Sequence, residues 1–119
     1  MDQLEIESTC DEPGGIRTLR LRGPFTLPSV MDFQTVFRSL SDSVILIDLS
    51  EVPYMDSAAL GALISVHTSS QRNKRQYAFS GVSERIRTLF DVSGVGTVLV
   101  TYPSLEEARE KFTVKSAAH

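Results

Sequence analysis

Residues 44–64, VILIDLSEVPYMDSAALGALI, decide the fold of this chain. The first four residues are all apolar and mostly β-branched, which is typical of a strand buried on both faces of a sheet. Residues 50–55 then predict a short loop, and Asp56 is a residue type that often begins a helix. A fully buried strand followed directly by a helix indicates an α/β fold with a parallel or mixed sheet.

Strands are predicted on both sides of this segment. Residues 4–8 alternate apolar and polar side chains, and residues 16–22 place Leu19 and Leu21 on one face. The glycine-rich residues 10–15 between them predict a turn, so these two strands should form an antiparallel hairpin. Residues 76–80 and 97–100 complete the predicted strands.

Four helices are predicted from apolar spacings of three and four residues. The expected helix-capping residues are Ser29, Ser83 and Ser104, and the second helix should begin at about Asp56. The apolar stripes comprise Val30, Phe33, Phe37 and Leu40 in the first helix, Leu60, Leu63, Ile64 and His67 in the second, Ile86, Leu89 and Phe90 in the third, and Leu105, Ala108 and Phe112 in the fourth.

The element order β-β-α-β-α-β-α-β-α predicts a small mixed sheet of about five strands, made of an N-terminal hairpin and alternating βα units. About four helices should cover mainly one face of that sheet. The 119 residues suffice for a single domain over 1–119, in which residues 115–119 are expected to be a frayed tail.

Composition excludes several classes of function. The net charge of −3 argues against a partner that is a nucleic acid. The single cysteine, Cys10, excludes a disulfide within the chain and a multi-cysteine zinc site, and it favours a cytoplasmic location. The sequence has no apolar run of about 18 residues and no basic, apolar N-terminus, so no membrane association is expected.

The sequence predicts no catalytic residue, cofactor or metal, and hence no enzyme. Ser57 and His67 lie on the same predicted helix, where ten residues correspond to a rise of about 15 Å. They cannot form a nucleophile–base pair across that distance. We interpret His67 as a partly buried structural histidine. Arg20 and Arg22 could form a basic binding stripe, but pairing with Glu5 and Glu7 across the hairpin is favoured.

Ser57 is the most informative candidate for a functional site. It falls in the first turn of the second helix, where backbone N–H groups are unpaired and the helix dipole is positive. A phosphate on this hydroxyl could be accommodated there. The small residues Ala58, Ala59 and Gly61 would leave room for a partner. From the residues alone, however, the simpler interpretation, that Asp56 and Ser57 merely begin a helix, is favoured.

The same segment resembles the signature of STAS domains, most closely that of bacterial anti-sigma factor antagonists (anti-anti-sigma factors). Residues 47–50 read IDLS and residues 54–61 read YMDSAALG, which is similar to that signature. Residues 82–94, VSERIRTLFDVSG, resemble the family's third helix with its Phe-x-x-x-Gly ending. The order of elements matches along the whole chain, so the resemblance implies a STAS-like fold.

The resemblance also implies a function in transcription regulation. The unphosphorylated protein would bind an anti-sigma factor that is also a serine kinase, and so release the sigma factor. Phosphorylation at Ser57 would end that binding, and a metal-dependent serine phosphatase would reverse it. The implied partner-binding residues are Thr26, Ser29, Tyr54, Met55, Asp56, Ser57, Ala58, Ala59, Leu60 and Gly61. A homodimer is left open.

Two positions depart from the family pattern. Thr26 stands where the family has an acidic residue after Gly-x-x, and Ala59 stands where it often has glycine. The alternative function is that of a STAS-like scaffold, or of an accessory subunit in a signalling assembly or a lipid-transport ATPase. Attachment to an anion transporter is disfavoured because the chain has no apolar segment of the required length.

Overall fold

A computed structural model describes residues 3–10 and 15–117, with side chains up to residue 112. The strands of this part are β1 (Glu5–Cys10), β2 (Ile16–Arg22), β3 (Val44–Glu51), β4 (Gln76–Ser80) and β5 (Thr101–Tyr102). The helices are α1 (Leu27–Arg38), α2 (Ser57–Arg72), α3 (Glu84–Val92) and α4 (Leu105–Ala117).

The strands form one mixed sheet in the order β1-β2-β3-β4-β5. β1 pairs antiparallel with β2, and every other neighbouring pair is parallel. The five-stranded sheet with an N-terminal hairpin is therefore confirmed. Most of the predicted turn between β1 and β2, residues 11–14, lies outside the described residues.

The two faces of the sheet carry unequal layers. In β3, Ile45 and Ile47 face the larger core cluster, which contains buried side chains of α1, α2 and α3. Leu46 faces the opposite side and packs in a smaller cluster with Ala108 of α4. The prediction that helices lie mainly on one face is thus confirmed, with α4 as the exception. β3 is buried on both sides, as its apolar sequence predicts.

The first helix begins earlier than predicted. Thr26 occupies the N-cap position and Pro28 lies in the first turn, so the expectation that Ser29 caps the helix is wrong. Ser29 is inside α1 and buried, with 5% of its surface exposed. The physical reason is the proline, whose fixed backbone angle suits the first helical turn, so that the helix starts before Pro28.

The last strand is shorter than predicted and lies later in the chain. Residues 97–100 form a turn, in which the N–H groups of Val98 and Leu99 both donate to the carbonyl of Val95. Gly94 reverses the chain after α3 with a φ of 78°, so the following residues must turn before they can reach the sheet. High β-propensity at residues 97–100 did not outweigh this geometry.

The buried face of α2 also differs from expectation. In α2 the stripe prediction was wrong for Ile64, which is 36% exposed, whereas Val66 is buried. α4 is described as far as Ala117, and the frayed tail over 115–119 stays a prediction. His67 is half-buried, as its structural interpretation requires.

Charged residues of β2 pair with carboxylates on both neighbouring strands. Arg22 contacts Glu7 of β1 at 3.1 Å and Glu51 of β3 at 3.5 Å. Arg20 does not pair with a glutamate of β1 but contacts the buried Asp48 at 3.3 Å. Cross-strand pairing is therefore confirmed for Arg22, and Arg20 stabilises a buried carboxylate on the α4 side of the sheet.

Candidate functional site

The segments that precede α1 and α2 lie side by side at the C-terminal edge of the sheet. The N–H of Phe25 donates to the carbonyl of Tyr54 at 3.1 Å, and the N–H of Asp56 donates to the carbonyl of Phe25 at 3.2 Å. Phe25 and Met55 thus form an isolated parallel bridge. These bonds fix the two helix starts relative to each other. The two loops that precede α1 and α2 are therefore neighbours.

The carboxylate of Asp56 caps both helices. Its Oδ1 accepts a hydrogen bond from the N–H of Ala59 in its own helix, α2, at 2.9 Å. Its Oδ2 accepts another from the N–H of Leu27, the first residue of α1, also at 2.9 Å. Thr26, the N-cap residue of α1, makes no capping bond with its side chain. One carboxylate therefore performs the capping function at two helix ends.

These contacts determine the protonation of Asp56. Desolvation raises the pKa of its carboxyl group, but the backbone N–H groups of Ala59, Leu27, Ala58 and Asp56 together outweigh that effect. The pKa of Asp56 therefore lies below its ordinary value. The charged form, which accepts both hydrogen bonds, is the stable form at neutral pH.

Ser57 is the first residue of α2 and its side chain is exposed to solvent. Within the described residues, its hydroxyl has no hydrogen-bond partner. The hydroxyl is therefore accessible to another protein, on a helix whose start is fixed by Asp56. A negative group on Ser57 would lie at the positive end of the α2 dipole but next to the Asp56 carboxylate.

The ten predicted partner-binding residues differ in accessibility. Tyr54, Ser57 and Gly61 are exposed, and Thr26, Asp56 and Ala58 are half-buried. The four buried residues are Ser29, Met55, Ala59 and Leu60. In this conformation the four buried residues pack beneath the surface of the site, and the other six residues are accessible to a partner.

Sequence reasoning missed a set of exposed apolar side chains around this site. Leu27 and Met31, four residues apart on α1, are 66% and 75% exposed. A groove of about 340 Å³ also lies between the loop before α2 and one side of α3. The spacing of Leu27 and Met31 was a signal for the first feature, because both fall outside the predicted apolar stripe of the helix.

His67 is engaged in a structural hydrogen-bond chain. Its Nδ1 lies 2.7 Å from the hydroxyl oxygen of Tyr77, which also accepts from the N–H of Val100 at 3.1 Å. Burial raises the pKa of Tyr77, and the Val100 N–H only partly offsets this. This chain of hydrogen bonds joins α2, β4 and the segment before β5. It lies far from Ser57, because most of the length of α2 separates His67 from that residue.

The described residues contain neither a metal-binding cluster nor a membrane-spanning helix. No group of three or more His, Cys, Asp or Glu side chains in this part of the chain could hold a metal ion. None of its helices is both long and apolar enough to cross a membrane.

The fold and the site define a small α/β domain that presents two fixed helix starts and an exposed serine at one sheet edge. The STAS domain family model matches residues 8–108, and the chain belongs to this family. The resemblance noted in the sequence is thereby confirmed.

Individual relatives are more distant. The chain is 31% identical over 75 residues to an anti-sigma-B factor antagonist of Listeria monocytogenes. That match covers 63% of this chain and 66% of the relative, slightly less than two thirds of its length.

Solved structures show that the fold is shared. An anti-sigma factor antagonist from Mycobacterium paratuberculosis superposes with a TM-score of 0.83 at 16% identity, covering 94% of this chain and 96% of the other. A sulfate transporter family protein from Wolinella succinogenes superposes with a TM-score of 0.76 at 17% identity, covering 89% of each chain. At these identities the likeness concerns the fold alone, and the fold occurs in proteins of different function.

Proposed function

We propose that this protein is a bacterial, cytoplasmic anti-sigma factor antagonist that is controlled by phosphorylation of Ser57. Its partner is an anti-sigma factor with serine kinase activity, and binding frees the sigma factor. The observation that carries the proposal is the exposed Ser57 hydroxyl on the first residue of α2. Ser57 follows Asp56, whose carboxylate accepts a hydrogen bond from each of two helix starts. The name of the Listeria relative supports the same class of partner.

In the proposed cycle the protein is a substrate and a competitor, not a catalyst. The Ser57 oxygen attacks the γ-phosphorus of ATP held by the kinase, ADP leaves, and the hydroxyl proton passes to a base of the kinase. A serine phosphatase reverses the step: water attacks the phosphorus, and the serine hydroxyl and inorganic phosphate are released. The metal in that step belongs to the phosphatase.

The negative charge of the phosphate explains how phosphorylation of Ser57 would end partner binding. A phosphoserine carries about −1.5 to −2 charges at neutral pH. On Ser57 this charge would stand next to Asp56, in the middle of the six accessible residues described above. Any carboxylate or apolar group of the partner that meets the unmodified serine would then face repulsion or an unfavourable desolvation. Binding would weaken without unfolding the domain, because the α2 N-terminus tolerates negative charge.

The test uses calorimetry with the anti-sigma factor of the same organism. The native protein and Ser57→Ala should bind alike, whereas Ser57→Asp should bind at least tenfold more weakly. Equal affinity of the two variants would show that charge at this position is not the switch.

A kinase assay locates the modification. With ATP and the anti-sigma kinase, mass spectrometry should find one phosphate, absent from Ser57→Ala. A phosphate on Ser43 or Ser83 with Ser57 unmodified would contradict the proposal. Capture of a transport ATPase or a signalling scaffold instead of an anti-sigma factor would favour the alternative function.

A further inference from the structure

The groove between the loop before α2 and one side of α3 has an apolar floor and an apolar rim. Met55 and Ile86 form the floor and are 8% and 1% exposed. Tyr54, Leu89 and Val92 also line it, and Val92 is 81% exposed at the last residue of α3. A cavity of about 340 Å³ is large enough for one or two apolar side chains. Tyr54 and Val92 therefore leave part of the apolar lining accessible to a partner.

The side chain of Arg85 borders the groove, and its positive charge does not stabilise α3. Arg85 is the second residue of α3, where the positive end of the helix dipole disfavours a cation. Its guanidinium lies over the ring of Tyr54, 5.5 Å from the centroid. Among the described residues, no carboxylate forms an ion pair with it. Stacking on the ring fixes the guanidinium while leaving its N–H donors available to an outside acceptor.

We infer that the groove receives a segment of the anti-sigma factor in which an apolar side chain is adjacent to an aspartate or glutamate. The apolar side chain fills the space between Tyr54, Leu89 and Val92, and the carboxylate accepts hydrogen bonds from Arg85. The identity of the protein that carries this segment rests on the proposed function; the chemistry of the segment follows from the groove. Tyr54 is three residues from Ser57, so a partner seated on the serine extends naturally onto the groove.

The chemistry is tested first without any anti-sigma factor. The ¹⁵N-labelled protein is titrated with acetyl-Glu-Leu-Leu-Glu-amide and, separately, with acetyl-Lys-Leu-Leu-Lys-amide, which has the same apolar content. The acidic peptide should shift the amide signals of Tyr54, Arg85 and Leu89, and Arg85→Gln should remove most of these shifts. Equal shifts with both peptides, or shifts confined to other parts of the protein, would overturn the inference.

The partner is tested by calorimetry with the anti-sigma factor. Arg85→Gln and Val92→Ser should each weaken binding about tenfold, and Arg85→Gln should also reduce the dependence of affinity on salt. The matched control is Arg72→Gln, which changes an exposed arginine at the far end of α2 and should bind like the native protein. Circular dichroism should show that all three variants are folded.

The outcomes separate the two proposals. Undiminished binding of both groove variants would overturn the groove as a partner site and leave the role of Ser57 intact. Peptide binding at the groove without any binding of the anti-sigma factor would support the groove chemistry and refute the proposed function. A dimer of this protein that Val92→Ser dissociates, with unchanged anti-sigma binding, would assign the groove to self-association and overturn the inference.

Discussion

Replacing Asp56 by alanine should destabilise the protein about twice as much as removing an ordinary helix cap. Its two carboxylate oxygens each accept one backbone N–H at 2.9 Å, from Ala59 and from Leu27. Loss of one capping side chain costs about 1 kcal/mol, within a range of roughly 0.5–2 kcal/mol. Two such bonds give about 2 kcal/mol, because partial exposure to solvent prevents a larger value.

Two other caps provide the controls in urea denaturation. The Ser83 hydroxyl accepts one bond, from the N–H of Ile86 at 3.2 Å, so Ser83→Ala should cost about 1 kcal/mol. The Thr26 side chain makes no capping bond, so Thr26→Ala should cost less than about 0.5 kcal/mol. The three free energies of unfolding are comparable if the m-values agree. An Asp56→Ala cost no greater than that of Ser83→Ala would refute the shared cap.

The same prediction has a pH dependence with a definite sign. The pKa of Asp56 is lowered in the folded state, so its contribution is present above the unfolded pKa of about 3.9 and is lost as the pH falls through the folded pKa. The stability difference between the native protein and Asp56→Asn should therefore shrink on acidification below about pH 4. Hydrogen exchange of the Leu27 amide should also be faster in Asp56→Asn. A stability difference that stays constant down to pH 2.5, or unchanged exchange at Leu27, would contradict the assignment.

Three further substitutions test the site and its frame. Gly81→Ala should lower the free energy of unfolding in urea by about 2–3 kcal/mol, because Gly81 has a φ of 68° and an added Cβ would lie 2.7 Å from the Cβ of Ser50. A loss under about 1 kcal/mol would contradict this. Gly61→Ala should instead stabilise α2 by up to about 1 kcal/mol, since nothing lies within 4 Å of the added methyl group. The same substitution should lower the affinity for the anti-sigma factor in calorimetry. Unchanged affinity would place Gly61 outside the interface. Thr26→Asp should weaken that binding, because a second carboxylate would approach Asp56 at a half-buried position; tighter binding would indicate a cationic partner surface there.

Hydrophobic periodicity was sufficient to predict elements whose environment is fixed by their own sequence. β4 spans residues 76–80 as expected, and Ser83 caps α3 as predicted, by accepting a hydrogen bond from the N–H of Ile86. Periodicity failed where distant parts of the chain decide the outcome. Residues 97–100 have the composition of a strand, but the reversal at Gly94 leaves them in a turn. α4 covers the second face because Leu46 and Ala78 leave an apolar surface there, which a pattern read one element at a time does not reveal.

The candidate site could be predicted only in part, because one of its bonds also joins distant parts of the chain. Ser57 and its position at a helix start followed from the motif, but the second bond of Asp56 joins residues 29 positions apart, and capping rules relate a side chain only to its own helix.

That bond supplies the α1 N-terminus with a carboxylate from Asp56, although the N-cap residue Thr26 makes no side-chain capping bond of its own. It also links the proposed modification to both helices. A phosphate on Ser57 would act on the one neighbouring carboxylate that holds the starts of α1 and α2 together, so a charge at one residue would affect the surface contributed by both.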